Sequence, residues 1–144
     1  MLPEEAIFRR VTGSTALNTL IGGRFLPLSA SMRTTMPFVV YKRFTADHQH
    51  HLGGASGLVF LRMQFDIFGQ TYAVVKAIGE AFRNLLDGYR GTVTNGPDSV
   101  LLSCVELQDE REDYVQPTDG TDIGAYRLTQ DFRISASTSI PALV

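Results

Sequence analysis

The chain has no tryptophan, a single cysteine and no apolar run near the roughly 20 residues a membrane-spanning helix needs. With Cys104 alone, no internal disulfide framework can form, and synthesis in a reducing compartment is expected. The amino terminus, MLPEEAIFRR, lacks the basic-then-apolar order of a signal peptide, so none is expected. No glycine-rich phosphate loop joins a strand to a helix, which argues against a nucleotide-binding α/β fold. There is no block of Lys or Arg, and hence little support for nucleic-acid recognition. Ser14, Ser56 and Ser103 have no nucleophile-elbow context, so a serine hydrolase has none of its local signature. Internal repeats and low-complexity blocks are missing as well.

What is present fits one folded domain. At 144 residues the chain is long enough to bury a core without metal or disulfides. Its 44% hydrophobic and 19% charged residues do not call for disorder. The most informative stretch is 58–88. Val59, Leu61, Met63, Phe65 and Ile67 alternate with Arg62, Gln64 and Asp66, the pattern of a strand with one dry and one wet face. From Tyr72 the period lengthens: Tyr72, Val75, Ile78, Phe82, Leu85 and Leu86 share one helical stripe. Thr71 is placed to cap this helix and Gly88 to end it in a left-handed conformation. A half-wet strand followed by an amphipathic helix predicts an α+β fold. Its mainly antiparallel sheet is covered on one face by the long helix and an N-terminal helix.

The remaining elements follow from punctuation. Pro3 opens a helix over 3–11 that is expected to bury Leu2, Ala6, Ile7 and Val11. Ser14 caps a second short helix ending at Gly22-Gly23. A short strand is expected at 24–28, a polar loop at 29–36 and a central strand at 38–44. Residues 45–57, TADHQHHLGGASG, read as an extended loop too long for a tight hairpin. A turn-rich link at 91–97 leads to a strand at 99–107, in which Cys104 is expected as a small core side chain. A second long loop, QDEREDYVQPTDGTD, follows, and a last alternating strand spans 123–135. The domain is thus expected over 1–135, with 136–144 as an extension without regular structure.

Charge is unevenly distributed. Residues 1–97 carry ten basic and six acidic side chains, whereas residues 98–131 carry two and nine. A basic half and an acidic half can attract copies of one chain head to tail, and heterologous contacts of that kind close into rings when the rotation permits. The only set with metal-ligand chemistry is Asp47, His48, His50 and His51. It sits in a glycine-rich segment with no second cluster to complete a shell. The acidic run Asp109, Glu110, Glu112 and Asp113 lacks calcium-loop spacing and is interrupted by Arg111, so it reads as a solvated or partner-facing surface. Arg62, Asp66, Asp131 and Arg133 suit cross-strand ion pairs on a polar strand face. No catalytic residue, metal site or cofactor is expected.

Several segments together resemble the tail-completion or tail-terminator proteins of long-tailed bacteriophages and gene-transfer particles. They are PFVVYKR (37–43), LGGASGLVFLRMQFDIFGQTY (52–72), AVVKAIGEAFRNLLDGYRG (73–91), DEREDY (109–114) and YRLTQDFRI (126–134), with the N-terminal helix followed by LNTLIGGRFLPL. They cover nearly the full length in the family's order. The chain departs from it in lacking Trp, with Phe68 at an aromatic position, and in its His-rich segment and its extension. The resemblance implies a structural virion protein that forms a ring, commonly a hexamer, at the head-proximal end of the tail. Such a ring ends tail-tube polymerisation and offers a surface for head joining. Implied partners are other copies of the chain, the major tail tube protein and head-tail connector or neck proteins. DNA would only pass through the lumen, and no membrane is involved. The implied location is the virion, after assembly in the host bacterial cytoplasm. Candidate subunit or tube contacts are Arg43, Asp47, His48, His50 and His51, with Asp109, Glu110, Arg111, Glu112 and Asp113. The alternative in the same class is another neck component, for head completion; the cross-class alternative is a small metal-dependent enzyme resting on the histidines.

Overall fold

The computed structural model describes residues 2–29, 35–115 and 124–138. In β3 (Gly54–Gly69), Val59, Leu61, Met63, Phe65 and Ile67 are buried, while Arg62 is exposed and Gln64 and Asp66 are half-buried. The chain then turns into α3 (Tyr72–Leu86), where Val75, Ile78, Phe82 and Leu86 form the buried stripe. Tyr72 is exposed and Leu85 half-buried, so the stripe is narrower than its apolar residues suggest. Thr71 Oγ1 accepts the Val74 N–H at 3.3 Å, and Gly88 takes φ 80° just past the helix end. Both devices satisfy or redirect backbone groups that a bare helix end leaves open.

Ahead of this unit lie α1 (Pro3–Thr12) and α2 (Thr15–Ile21). Ser14 caps α2 by accepting the Leu17 N–H, and Gly22 ends it at φ 60°. Pro3, Ala6, Ile7 and Val11 are buried, but Leu2 is 52% exposed, contrary to expectation, because it precedes the first turn. The Arg10 guanidinium lies 3.4 Å over the Tyr89 ring and donates to the Leu85 carbonyl, tying α1 to the end of α3.

β1 (Phe25–Pro27), β2 (Phe38–His51), β4 (Gly91–Asn95), β5 (Asp98–Val115) and β6 (Ala125–Ser137) complete one sheet in the order β1-β2-β3-β6-β5-β4. Among the described residues only β1 and β2 pair in parallel; the other pairings are antiparallel. The helices pack on the face bearing Val39, Phe65, Leu128, Phe132 and Ile134, and among the described residues no element covers the opposite, open face. Phe65 sits at the centre of the core, its ring 5.4 Å from Phe25, 5.2 Å from Phe82 and 5.1 Å from Phe132. Full burial of such side chains stabilises the fold by ~1.5–3 kcal/mol each.

Several expectations are corrected. Residues 45–57 are mostly strand: β2 runs to His51, the chain turns at Leu52-Gly53, and β3 begins at Gly54 with φ 121°. Backbone pairing along the ribbon overrides a composition that reads as loop. Residues 108–115 are the second half of β5, paired with β6 from Tyr126 and Ala125 onward. The rest of the expected acidic loop, with Pro117 and Gly120, lies outside the described residues, as do most of the 29–36 loop and residues 139–144. The link at 91–97 contains β4, hairpinned onto β5. β6 extends to Ser137, and Ala136 is fully buried against its neighbours.

Cys104 is not a core residue. A register shift between Leu102 and Cys104 moves the thiol onto the open face, where it donates to Glu106 Oε1 at 3.1 Å. That bond to a carboxylate raises the thiol pKa above its ordinary value. Val105 takes the core position instead.

Candidate interaction surfaces

Strand registers place the candidate residues on two faces and at two ends. Among the described residues the β2–β3 ribbon overhangs β6 at one end of the sheet, because β6 accompanies β3 only as far as Leu58, opposite Ser137. Beyond that point the Thr138 N–H still reaches the Gly57 carbonyl at 2.7 Å. His50 pairs with Ala55 and His51 with Gly54 in the overhang. His51 Nδ1 accepts the Gly53 N–H at 3.0 Å, so this imidazole shapes the turn. His48, opposite Val59, helps line a cleft of about 490 Å³ with Leu2, Glu4 and Arg43. Asp47, opposite Phe60, is on the open face. The four residues therefore do not converge. Among the described residues, no three His, Cys, Asp or Glu side chains gather to hold a metal ion.

Arg43 lies within β2 and meets Glu4 Oε1 of α1 at 3.3 Å. The other oxygen of Glu4 is buried with no hydrogen-bond partner among the described residues. Arg43 thus joins the sheet to the first turn of α1, a structural role that sequence position does not reveal.

The acidic run is divided by the pleat. A register shift between Leu107 and Asp109 sets the phase. Asp109, Arg111 and Asp113 then project from the open face, and Glu110 and Glu112 from the helix-bearing face. Arg111 bridges Asp109 at 2.7 Å and Asp131 at 3.0 Å, and Arg127 meets Asp113 at 2.7 Å. On the other face Glu112 accepts from Lys76 Nζ at 2.6 Å and from the Tyr72 hydroxyl at 2.7 Å. These bonds hold the Glu112 carboxyl below its ordinary pKa, and the Glu112 contact raises those of Lys76 and Tyr72. Glu110 is 3.4 Å from the Gln130 amide, whose Nε2 also donates to the Gly79 carbonyl. Of the expected cross-strand ion pairs, Asp131 forms one, with Arg111; Asp66 accepts instead from Thr129 and Gln64.

One grouping was not visible from sequence. Tyr72, Tyr114 and Tyr126 meet at the end of the sheet opposite the histidine ribbon, with Tyr126 centroids 6.0 Å from Tyr72 and 5.0 Å from Tyr114. Together with Lys76, Glu112 and Arg127 they line a shallow cleft of about 210 Å³. Strand register sets Tyr114 opposite Tyr126, and the packing of α3 on the sheet adds Tyr72. An amphipathic, partly exposed tyrosine cluster with charged neighbours suits macromolecular contact.

The open face presents Lys42, Arg62, Arg111, Arg127 and Arg133 among Asp47, Asp66, Glu106, Asp109, Asp113 and Asp131. Positive and negative groups are interleaved, so no strong field of one sign arises. Its apolar members include stacked Phe38 and Phe68 at 5.0 Å. No helix among the described residues is long and apolar enough to cross a membrane.

No protein-family model matches the chain, and no curated protein is similar to it in sequence. Its fold is similar to that of a chain in a solved structure described as the virion of a native gene transfer agent particle. The TM-score is 0.63 at 15% sequence identity, over 94% of this chain and 94% of that one. At that identity the likeness is one of fold, and it extends over nearly the whole length of both chains.

Proposed function

We propose that this chain is a structural virion protein, the tail terminator of a phage-like particle. The observation that carries this reading is the likeness of fold, across 94% of both chains, to a chain of a gene transfer agent virion. The ordered resemblance of its segments to tail-completion proteins narrows the role. A ring of these subunits, a hexamer, binds the last layer of the tail tube and stops its growth. The other side of the ring meets head-tail connector proteins.

The mechanism is geometric. Contacts repeated around a ring act together, so weak single contacts give firm capping once the ring engages. The overhanging ribbon and the tyrosine-lined end lie at opposite ends of the sheet, which gives one subunit two distinct axial surfaces. The interleaved charges of the open face suit a lumen wall, since phosphate binding depends on uncompensated Lys and Arg. DNA passing such a wall meets six carboxylates for five basic side chains per subunit. Assembly takes place in the bacterial cytoplasm, and no catalytic step, metal or cofactor enters it.

The test is electron microscopy of particles made without this gene. Overlong or irregular tails beside unjoined heads are the expected result. Tails of normal length that fail to attach would move the role to another neck component. Intact infectious particles would overturn the structural reading.

A further inference from the structure

β1 and β4 are the outer strands of the sheet, and each covers only part of its neighbour. β1 pairs with residues 39–41 of β2, and its cover ends where the Leu28 N–H donates to the Tyr41 carbonyl at 2.8 Å. Among the described residues, no strand pairs with the outer backbone of β2 over 42–51. On the far side, β4 pairs with β5 only over 98–102. The segment after α3 extends that cover through bonds between Gly88, Tyr89 and Val105, and Asp87 Oδ1 takes the Leu107 N–H at 3.0 Å. Over 108–115 the outer backbone of β5 has no partner strand among the described residues. An uncovered edge of this length is a template for another strand.

We infer that these two edges pair with each other between copies: residues 108–115 of one subunit take residues 42–51 of the next, antiparallel, as one continued sheet. The inference rests on the ring reading above and supplies its lateral contact. Direction is fixed by topology. The antiparallel pairings β2–β3, β3–β6 and β6–β5 make β5 run opposite to β2, so a neighbour in the same orientation presents β2 antiparallel to β5. In that sense Lys42 and Arg43 come toward Glu112 and Asp113, and the histidines toward Asp109. Pairing β5 with another β5 would instead set the acidic run against itself, which destabilises cross-strand pairs. Charge therefore favours the heterologous contact, which is the kind that builds rings.

The stagger of the edges also suits closure. Ala46, near the middle of the free β2 edge, aligns through Leu61 and Ile134 with Val105 of β5. Arg111, near the middle of the free β5 edge, lies six residues further along that strand. Six residues span about 20 Å, and four strands are about 19 Å wide, so neighbours stay level when strands tilt about 45° from the ring axis. Closed barrels tilt their strands by ~35–45°. An untilted arrangement would climb as a filament.

The test uses equal amounts of unlabelled and ¹⁵N-labelled full-length protein treated with a water-soluble carbodiimide, which joins an amine directly to a carboxylate. The chain has only two lysines, Lys42 and Lys76. Lys76 lies 2.6 Å from Glu112 in its own subunit and provides a single-isotope control. Mixed-isotope peptides joining Lys42 to Asp113, the carboxylate of that edge segment nearest to it on its own face of the sheet, are expected. Their yield should fall about tenfold between 0.1 M and 1 M salt as screening shortens from ~10 Å to ~3 Å. Lys42→Arg should abolish them and leave the control intact. Recovery of the control without these products, or mixed products from Lys42 to other carboxylates only, would overturn the pairing. Rings seen on particles without the Lys42 product would leave the virion reading standing and reject the edge contact. The product together with normal tails in the gene deletion would do the reverse.

Discussion

Gly79 of α3 and Leu128 of β6 approach so closely that a Cβ at position 79 would lie 2.4 Å from Leu128 Cδ2 and 3.3 Å from Gln130 Nε2. The Gly79 carbonyl also accepts from that buried amide at 3.0 Å. Helix propensity favours Ala over Gly by about 1 kcal/mol, whereas overpacking a core costs ~1–3 kcal/mol. Gly79→Ala is therefore expected to lower stability by about 1 kcal/mol in urea denaturation. A more stable variant would mean that Leu128 moves aside freely.

The aromatic centre sets a larger scale. Phe82 is fully buried, 5.2 Å from Phe65 and 5.8 Å from Phe25. Removing it leaves a cavity that α3 and the sheet cannot both close. Phe82→Ala should cost ~3–5 kcal/mol, a large part of the ~5–15 kcal/mol typical of a domain. Phe44, at the bulge in β2, is 61% exposed. Phe44→Ala should stay within ~0.5 kcal/mol of the parent by the same measurement.

The contrast between these phenylalanines marks what was legible in the sequence. β3 and α3 could be read because burial on one side writes a period into the chain, two for the strand and near 3.6 for the helix. The caps at Ser14 and Thr71 were legible for a local reason: their bonds reach only three residues ahead. Residues 45–51 and 108–115 were hidden because they are strand through pairing, while much of their side-chain surface stays exposed. No apolar alternation marks such a segment. Bulges at Phe44, Ser103 and Gln108 hide the phase as well, and the one before Cys104 is why apolar patterning alone points its thiol to the core. The candidate contacts fared similarly. Their charge was plain, but the division of Asp109 through Asp113 between two faces depends on register alone.

The Glu112 bonds have a consequence for pH. Lys76 and then Tyr72 hold the carboxyl below its ordinary value of 4.5. A group whose pKa is lowered by folding contributes stability above its unfolded pKa and loses it as pH falls through the folded value. That contribution should be intact at neutral pH and fade on acidification below 4.5. Carboxyl NMR titration should place the Glu112 midpoint below that of an unpaired Glu. Lys76→Met should move the midpoint back up, and an unchanged midpoint would show that the pair does not persist in solution.

The overhanging ribbon separates function from folding. β6 accompanies β3 no further than Leu58, and Ser56 Oγ donates to the Gln49 carbonyl at 3.0 Å. The chain therefore already closes on itself below the tip. Replacing residues 50–55 with Asn-Gly, a dipeptide suited to a two-residue hairpin turn, removes His50, His51 and the turn at Leu52-Gly53. No buried core residue is lost, so thermal unfolding should shift by no more than about 4 °C, the change expected for roughly 1 kcal/mol in a domain close to 150 residues. If the ribbon is an axial contact of the terminator ring, complementing a gene deletion with this variant should leave tails overlong or heads unjoined despite a folded protein. Full restoration of particle assembly would remove the ribbon from the contact surface and leave the tyrosine-lined end as the surface that meets the tube.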